Sequence, residues 1–316
     1  MNILMTGATG FVGTWLTGIL RCSHTVRLAV RDSRHAEQHA DTLVVGDIDK
    51  DTNWSTALQG VDCVVHLAAR VHIIRPAQDE YERYYHTNTE GTAKLASAAA
   101  AAGVRRFIFM STIKVNGERT GVVPFSASDP PRPVDHYGKS KLQAELRLHD
   151  LAACSSMIVT TIRPPLVYGP GVRANFLRLL NAVCRGWPLP LGSVRNTRSL
   201  VSVWNLCDLI KTAIEVPFPG IVMASDGDDL STPELIRRIS KSMQRPVRLL
   251  PTPVPVLKAI GRCVGRGDAV SRLCDSLAVD ISGTRRALGW TPPVSVDESL
   301  DRTVKWFLRE RQTHAI

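Results

Sequence analysis

Tyr137 and Lys141, in the run HYGKSK, are the residues of this chain best suited to moving a proton. On a helix their spacing puts both side chains on one face. A phenol with its ordinary pKa of about 10 is a poor acid–base group at neutral pH. A neighbouring ammonium favours the phenolate and draws that pKa towards the working range. Ser111 and Thr112 close an apolar run with two hydroxyls, and far upstream stands the glycine-rich segment TGATGFVG, residues 6–13. Gly7, Gly10 and Gly13 follow a short apolar stretch and open an amphipathic one, which is the setting a dinucleotide fingerprint requires. Gly7 permits a tight turn, Gly10 lets the backbone approach a pyrophosphate, and Gly13 lets helix and strand pack closely. The helix start then offers oriented N–H groups to the anion. Thr9, Phe11 and Val12 share that turn and are expected at the cofactor.

Positioning these groups takes an alternation of strands and helices, the pattern of a parallel sheet built from βαβ units. Strands are expected at Asn2–Met5, Thr25–Val30, Thr42–Val45, Cys63–Leu67, Arg106–Met110 and Met157–Ile162. Helices are expected at Gly10–Leu20, Glu80–Ala102 and His136–Ala153. Beyond Pro164-Pro165, prolines and glycines punctuate shorter elements, and Ser231-Thr232-Pro233-Glu234 reads as a capped helix start. The expected fold is α/β, a Rossmann-type doubly wound parallel sheet with a smaller C-terminal α/β region. Residues 1–166 form the dinucleotide domain, to which 196–224 return through Leu200–Val203 and Ile221–Met223. Residues 167–195 and 225–316 form the substrate domain.

Composition narrows the field. The 316 residues are 44% hydrophobic, enough for one large core or two modest ones. No apolar run approaches the roughly 18 residues of a membrane span. The start MNILMTG runs directly into the glycine turn, so no leader is expected and the cytoplasm is the expected compartment. The seven cysteines are scattered without CxxC spacing, which argues against a disulfide framework or a metal site. The net charge of +10 is dispersed rather than blocked, so it suits a basic cleft for anionic small molecules and not a nucleic-acid groove.

The second strand bears on cofactor choice. NAD-binding folds usually end it with an acidic residue that accepts from the ribose 2′-hydroxyl. Here TVRLAVRDS ends in Val30, with Arg31 next, whose fork of donors suits a 2′-phosphate. Asp32 could instead turn inward and accept a ribose. NADP(H) is therefore the expected cofactor, with NAD(H) possible.

Taken in order, TGATGFVG, Ser111-Thr112 and YGKSK resemble the extended short-chain dehydrogenase/reductase family. The resemblance implies that Thr112 bonds the reacting oxygen, Tyr137 exchanges a proton, and Lys141 holds the nicotinamide ribose. It also implies a cofactor site that includes Asp47 and Ile48 near the adenine, Leu67-Ala68-Ala69 along the pyrophosphate and ribose, and Ser111. Asn88 would hold the active-site helix, and the Pro164-Pro165-Leu166 backbone would hold the carboxamide. The TVRLAVRD segment is similar to one in plant dihydroflavonol reductases, which use NADPH.

The second half resembles nucleotide-diphosphosugar enzymes such as UDP-hexose 4-epimerases, through VYGPG at residues 167–171 and ANFLRLL. That likeness implies a UDP-sugar site containing Asn175, Leu189, Leu191, Arg198, Arg272 and Lys114, with Arg266 competing for the place of Arg272. Dehydratases of the family carry Asp-Glu after the hydroxyl residue; this chain has Ile113-Lys114, so dehydration is not expected. STIKVNGE, SDPPRPVDHYGKSK and RPPLVYGPGVRANFLRLL most resemble a bacterial subgroup often labelled UDP-glucose 4-epimerase. Its better-understood members resemble 4-ketoreductases making UDP-N-acetyl-quinovosamine for lipopolysaccharide O-antigen. The expected reaction is NADPH-dependent reduction of a UDP-linked 4-keto-6-deoxy-N-acetylhexosamine, with a 4-epimerase holding NAD as the rival. A non-catalytic NADP-binding regulator is a third reading, against which the intact Tyr137 and Lys141 argue. The resemblance also implies a homodimer through a four-helix bundle, formed by the long helices Glu80–Ala102, with its Ala-rich face, and His136–Ala153.

Overall fold

The protein is described by a computed structural model covering residues 1–35, 41–71 and 80–313. The chain opens β1 (Asn2–Thr6), α1 (Phe11–Arg21), β2 (Thr25–Val30), β3 (Thr42–Val44) and β4 (Cys63–His66). Next come α2 (Glu80–Tyr84), a π-helical segment at Tyr85–Gly91 and α3 (Thr92–Ala101), which continue one another over the span expected as a single helix. β5 (Arg106–Met110), α4 (His136–Ala153) and β6 (Ile158–Arg163) complete the first half.

All seven strands of the main sheet are parallel, in the order β3-β2-β1-β4-β5-β6-β9, with β9 at Gly220–Met223. The direction of winding reverses between β1 and β4, so a crevice opens there at the carboxyl ends of the strands. Side chains alternate between the two faces of the sheet, as the period of two in a strand demands. Ile3, Met5, Cys63, Val65 and Ile108 pack on the side of α1, whereas Leu4, Val64, Phe107 and Phe109 pack on the side of α3 and α4. Burying apolar side chains on both faces explains why these strands read as continuous hydrophobic runs.

The expected return of residues 200–203 to this sheet is not made. β7 (Leu166–Tyr168) and β8 (Leu200–Ser202) pair with each other in a separate two-stranded parallel sheet. The reason lies at Pro164-Pro165: neither proline has an N–H to extend the β6 ladder, so the chain leaves the sheet there. Only β9 rejoins it. Between them run α5 (Ala174–Cys184) and α6 (Val203–Glu215), the latter packed with α1 on the main core. The remaining helices are α7 (Thr232–Ser242), α8 (Val254–Cys263), α9 (Gly267–Cys274), α10 (Ser282–Leu288) and α11 (Val296–Thr313). α7 begins as expected, with Ser231 Oγ accepting from Glu234 N at 3.2 Å and Pro233 in its first turn. A second core joins α5, α7 and α11 around Tyr168, Phe176, Ile236 and Phe307.

Candidate active site

A cavity of about 550 Å³ lies at the switch point and is lined from the ends of six strands. The glycine turn forms its floor. Gly7 has φ +73°, and a Cβ there would stand 2.6 Å from Ala68 N; one on Gly13 would stand 2.2 Å from the Gly7 carbonyl. Only glycine fits either place. Helix α1 starts at Gly10 with no side-chain cap, unlike α4 and α6, which Asp135 and Ser202 cap. Its first N–H groups therefore border the cavity uncapped, an arrangement that suits a diphosphate. Thr9, Phe11, Val12, Ile48, Leu67, Ala68, Ala69 and Pro164 line the same space. These residues fit a dinucleotide.

At the rim, Arg31, Asp32 and Asp47 all line the cavity. The Arg31 side chain is 73% exposed, with Asp47 at 3.9 Å, and Asp32 accepts from the Arg34 guanidinium at 2.8 Å. Asn88, Lys141 and Leu166 are not part of the wall. Asn88 is buried beneath it, donating to Ser140 Oγ on α4 at 3.0 Å and accepting from Arg70 N at 2.8 Å. It thus ties the loop after β4 to the helix that carries Tyr137 and Lys141. Leu166 opens β7, and its neighbours Pro165 and Val167 reach the cavity instead.

Tyr137, Ser111 and Thr112 also line the cavity. The Asp135 cap, accepting from Gly138 N at 2.7 Å, starts α4 so that Tyr137 falls in its first turn and Lys141 one turn later. Thr112 Oγ1 also caps the short helix Ile113–Val115, accepting from Lys114 N at 3.3 Å. Ser111 Oγ donates to the buried carboxylate of Glu145. Lys141 is 1% exposed, its ammonium 4.1 Å from the centre of the Phe109 ring. Burial lowers its pKa to about 7, against the pull of Glu145. The phenol of Tyr137 departs from the sequence expectation: burial, then Asp135 and Tyr84, push its pKa up. Desolvation of the phenolate is the largest of these causes.

Sequence reasoning missed His66, Glu145 and Arg163. His66 ends β4 between Thr6 Oγ1 (2.7 Å) and Thr92 Oγ1 (2.9 Å), stacked on Phe109, and burial with Lys141 lowers its pKa to about 3. Only the spacing of Glu145, one further turn along the face of Tyr137 and Lys141, could have signalled it.

The residues expected at a sugar nucleotide lie outside this cavity. Arg198 donates to the backbone carbonyls of Arg272 (2.7 Å) and Asp275 (3.1 Å), so the two arginines are brought together. Burial lowers the Arg198 pKa, opposed by Asp275 and Glu118 and reinforced by Arg272. Lys114 is committed to Asp135 at 2.5 Å and Glu118 at 3.0 Å; these carboxylates overcome its burial and raise its pKa. In Asp135, burial is outweighed by Lys114 and Gly138 N–H, with a smaller pull from Arg272, and the pKa falls. The arginine pair is thus within electrostatic range of the start of α4. Asn175 is exposed in the first turn of α5, whereas Leu191 is buried in the second core, with Leu189 half-buried against it.

Residues 3–222 match the family described as the NAD dependent epimerase/dehydratase family. The chain belongs to that family. A protein of Vibrio cholerae named UDP-glucose 4-epimerase is 45% identical over 98% of this chain and 96% of its own length. An Escherichia coli protein named N-acetyl-alpha-D-glucosaminyl-diphospho-ditrans,octacis-undecaprenol 4-epimerase is 28% identical over 96% of this chain and 95% of its own. Among solved structures, MoeE5 in complex with UDP-glucose and NAD superposes with a TM-score of 0.76 at 26% identity, covering 98% of this chain and 99% of that one. Membership agrees with the glycine turn, the sheet order and the paired tyrosine and lysine.

Proposed function

We propose that this chain catalyses oxidoreduction at C4 of a UDP-linked sugar, with Tyr137, Lys141 and Thr112 as its catalytic residues. One observation carries the reading: Tyr137 and Thr112 line the same cavity as the close-packed glycine turn. A bound nicotinamide dinucleotide supplies or accepts the hydride at C4. Tyr137 gives a proton to the C4 oxygen in the reducing direction and removes it in the other. Thr112 Oγ1 donates to the same oxygen as charge develops. Lys141, one helical turn beyond Tyr137, favours the phenolate when protonated and bonds the nicotinamide ribose. Arg198 and Arg272 bind the diphosphate of the substrate, with Asn175 beside it. This assignment makes residues from 167 onward the substrate side, apart from α6 and β9, which pack on the main sheet.

Between the two outcomes, we read net reduction of a UDP-4-keto-6-deoxy-N-acetylhexosamine by NADPH. Support comes from Arg31, which stands exposed at the cavity rim with no acidic residue ending β2, and from the engagement of Asp32 by Arg34. The second reading, a 4-epimerase keeping NAD bound, is favoured by the names of the Vibrio and Escherichia relatives and by the NAD bound to MoeE5. Incubation with a UDP-4-keto sugar and NADPH separates them. Stoichiometric loss of the reduced-cofactor absorbance supports the reductase. Interconversion of C4 epimers with no net cofactor change, by protein carrying tightly bound NAD, supports the epimerase. Absence of both results would refute C4 chemistry altogether. We also propose a homodimer through α2, α3 and α4, where Tyr81 on α2 and Leu146 on α4 stand 40% and 49% exposed. A monomeric mass by light scattering would refute it.

A further inference from the structure

Behind the wall of the cavity lies a buried ion pair that the reaction as described does not use. Arg163, the last residue of β6, is 2% exposed and donates from Nη2 to Glu145 Oε2 at 2.5 Å and from Nε to Glu145 Oε1 at 3.1 Å. Its Nη1 donates to Asn116 Oδ1 at 2.9 Å, and Asn116 Nδ2 donates to Ser126 O at 3.0 Å. Glu145, 8% exposed, also accepts from Ser111 Oγ. A buried pair of this kind is rarely the best source of stability, because apolar residues of similar volume would serve as well or better. Its place in the chain offers another reason. Glu145 shares a helix face with Tyr137 and Lys141, Ser111 immediately precedes Thr112, and Arg163 immediately precedes Pro164. The network therefore joins the three elements that present the proton donor, the hydroxyl and the cofactor-contacting backbone.

Resting on the assignment of Tyr137 and Lys141 to the reaction, we propose that Glu145, clamped by Arg163, is a positioning residue that sets Ser111–Thr112 against α4 and supplies the counter-charge to Lys141. The Lys141 ammonium meets groups from several elements. On its own helix the charged one is Glu145, one turn on. From β5 comes the Phe109 ring, which attracts the cation weakly. From β4 comes His66, uncharged above about pH 3 and so unable to repel it at working pH. On β6, Arg163 is engaged in its ion pair with Glu145. Glu145 is the anion that opposes the burial of Lys141. Without it, Lys141 gives up its proton at lower pH and stops favouring the phenolate.

Two variants of the full-length protein test this. Glu145→Gln keeps an acceptor for Ser111 and removes the charge. Glu145→Leu with Arg163→Met removes both charges, so that no lone buried ion threatens the fold. Each is assayed for cofactor affinity, KM and kcat across pH, beside Tyr137→Phe and with the UDP-4-keto sugar and NADPH as probes. Expected are near-unchanged cofactor affinity and KM, and kcat lower by about ten- to a hundredfold at neutral pH, the scale of a displaced catalytic group. The alkaline limb of the profile should also move to lower pH in both. A folded double variant with wild-type kcat and pH profile, while Tyr137→Phe is inactive, would overturn this role and leave the assignment of the site standing. Full turnover in Tyr137→Phe would overturn both.

Discussion

Replacing Gly13 by alanine places a methyl group 2.2 Å from the Gly7 carbonyl oxygen, 2.7 Å from Ala8 Cα and 2.9 Å from Ala8 C. All three neighbours are backbone, so none can swing aside as a side chain would. Relief requires α1 to move away from β1 or the Gly7 peptide to rotate. Either movement breaks the Gly10 N to Gly7 O bond of 3.0 Å that closes the turn. Overpacking of this kind costs about 1–3 kcal/mol, occasionally more. Five residues along the same helix, Gly18 offers the opposite case. It is exposed, and a Cβ there would meet nothing within 4 Å. Alanine at that position should stabilise the helix by about 0.5–1 kcal/mol through the lost freedom of the unfolded chain. For a chain of this size the gain corresponds to a rise in Tm of about 1–3 °C. Thermal melts of both variants and cofactor titrations followed by nicotinamide fluorescence make the comparison. Gly13→Ala should melt lower and bind dinucleotide at least about tenfold more weakly, a loss of about 1.4 kcal/mol. Gly18→Ala should melt higher with unchanged affinity. Wild-type melting and affinity in Gly13→Ala would refute the close approach of α1 to the turn, and a less stable Gly18→Ala would refute the accounting.

Tyr137→Phe should keep cofactor affinity and lose about a hundred- to ten-thousand-fold in kcat, the usual worth of general acid–base catalysis; steady-state rates beside binding titrations decide it. Arg31→Asp should weaken NADPH relative to NADH. A charged hydrogen bond contributes about 1.5–3 kcal/mol, with the lower end expected here because the side chain is 73% exposed, and equal NADPH affinity in both proteins would discard the NADP assignment. His66, lowered to about 3, holds fewer protons when folded than unfolded between about pH 3 and 6.5, so its contribution to stability is present above about pH 6.5 and is lost as pH falls towards 3. Urea titrations of wild type and His66→Gln across that range should show the steeper acid loss in wild type. A His66→Gln variant that weakens just as steeply would assign the acid loss to other groups.

How far the site could be read before folding was considered depends on how locally each part is encoded. The glycine turn and the Tyr137–Lys141 pair are each set by one turn or one helix face, where spacing dictates direction. The alternation of strand and helix in the first half was equally legible, because strands buried on both faces must be continuously apolar. Arg31, Asp47, Leu67, Ser111 and Pro164 line one cavity because each follows a strand, and parallel strands present their carboxyl ends on one edge, whereas Asn88 and Lys141 sit in helical segments outside its wall. Residues 200–203 were misplaced because sheet partnership is a long-range choice. Nothing in LVSV distinguishes β7 from β6 as its partner; the missing N–H groups of Pro164 and Pro165 make that choice. The elevated phenol of Tyr137 was also out of reach. Charge spacing predicts attraction between lysine and phenolate, whereas desolvation depends on what the rest of the chain packs around them.

Lys114, expected at the substrate, illustrates the same limit from the opposite direction. Its charge is visible in the sequence, but its commitment to Asp135 and Glu118 is a matter of where two other segments end up. The sequence by itself determined the glycine turn, the order of the elements and the pairing of Tyr137 with Lys141 on one helix face, since each rests on periodicity or on the conformations open to glycine and proline. Only the tertiary structure decided which strands pair, which charges are already neutralised, and that Glu145 and Arg163 meet behind the cavity. Those outcomes depend on burial and on distances between residues far apart in the chain, and burial sets the strength of every electrostatic interaction among them.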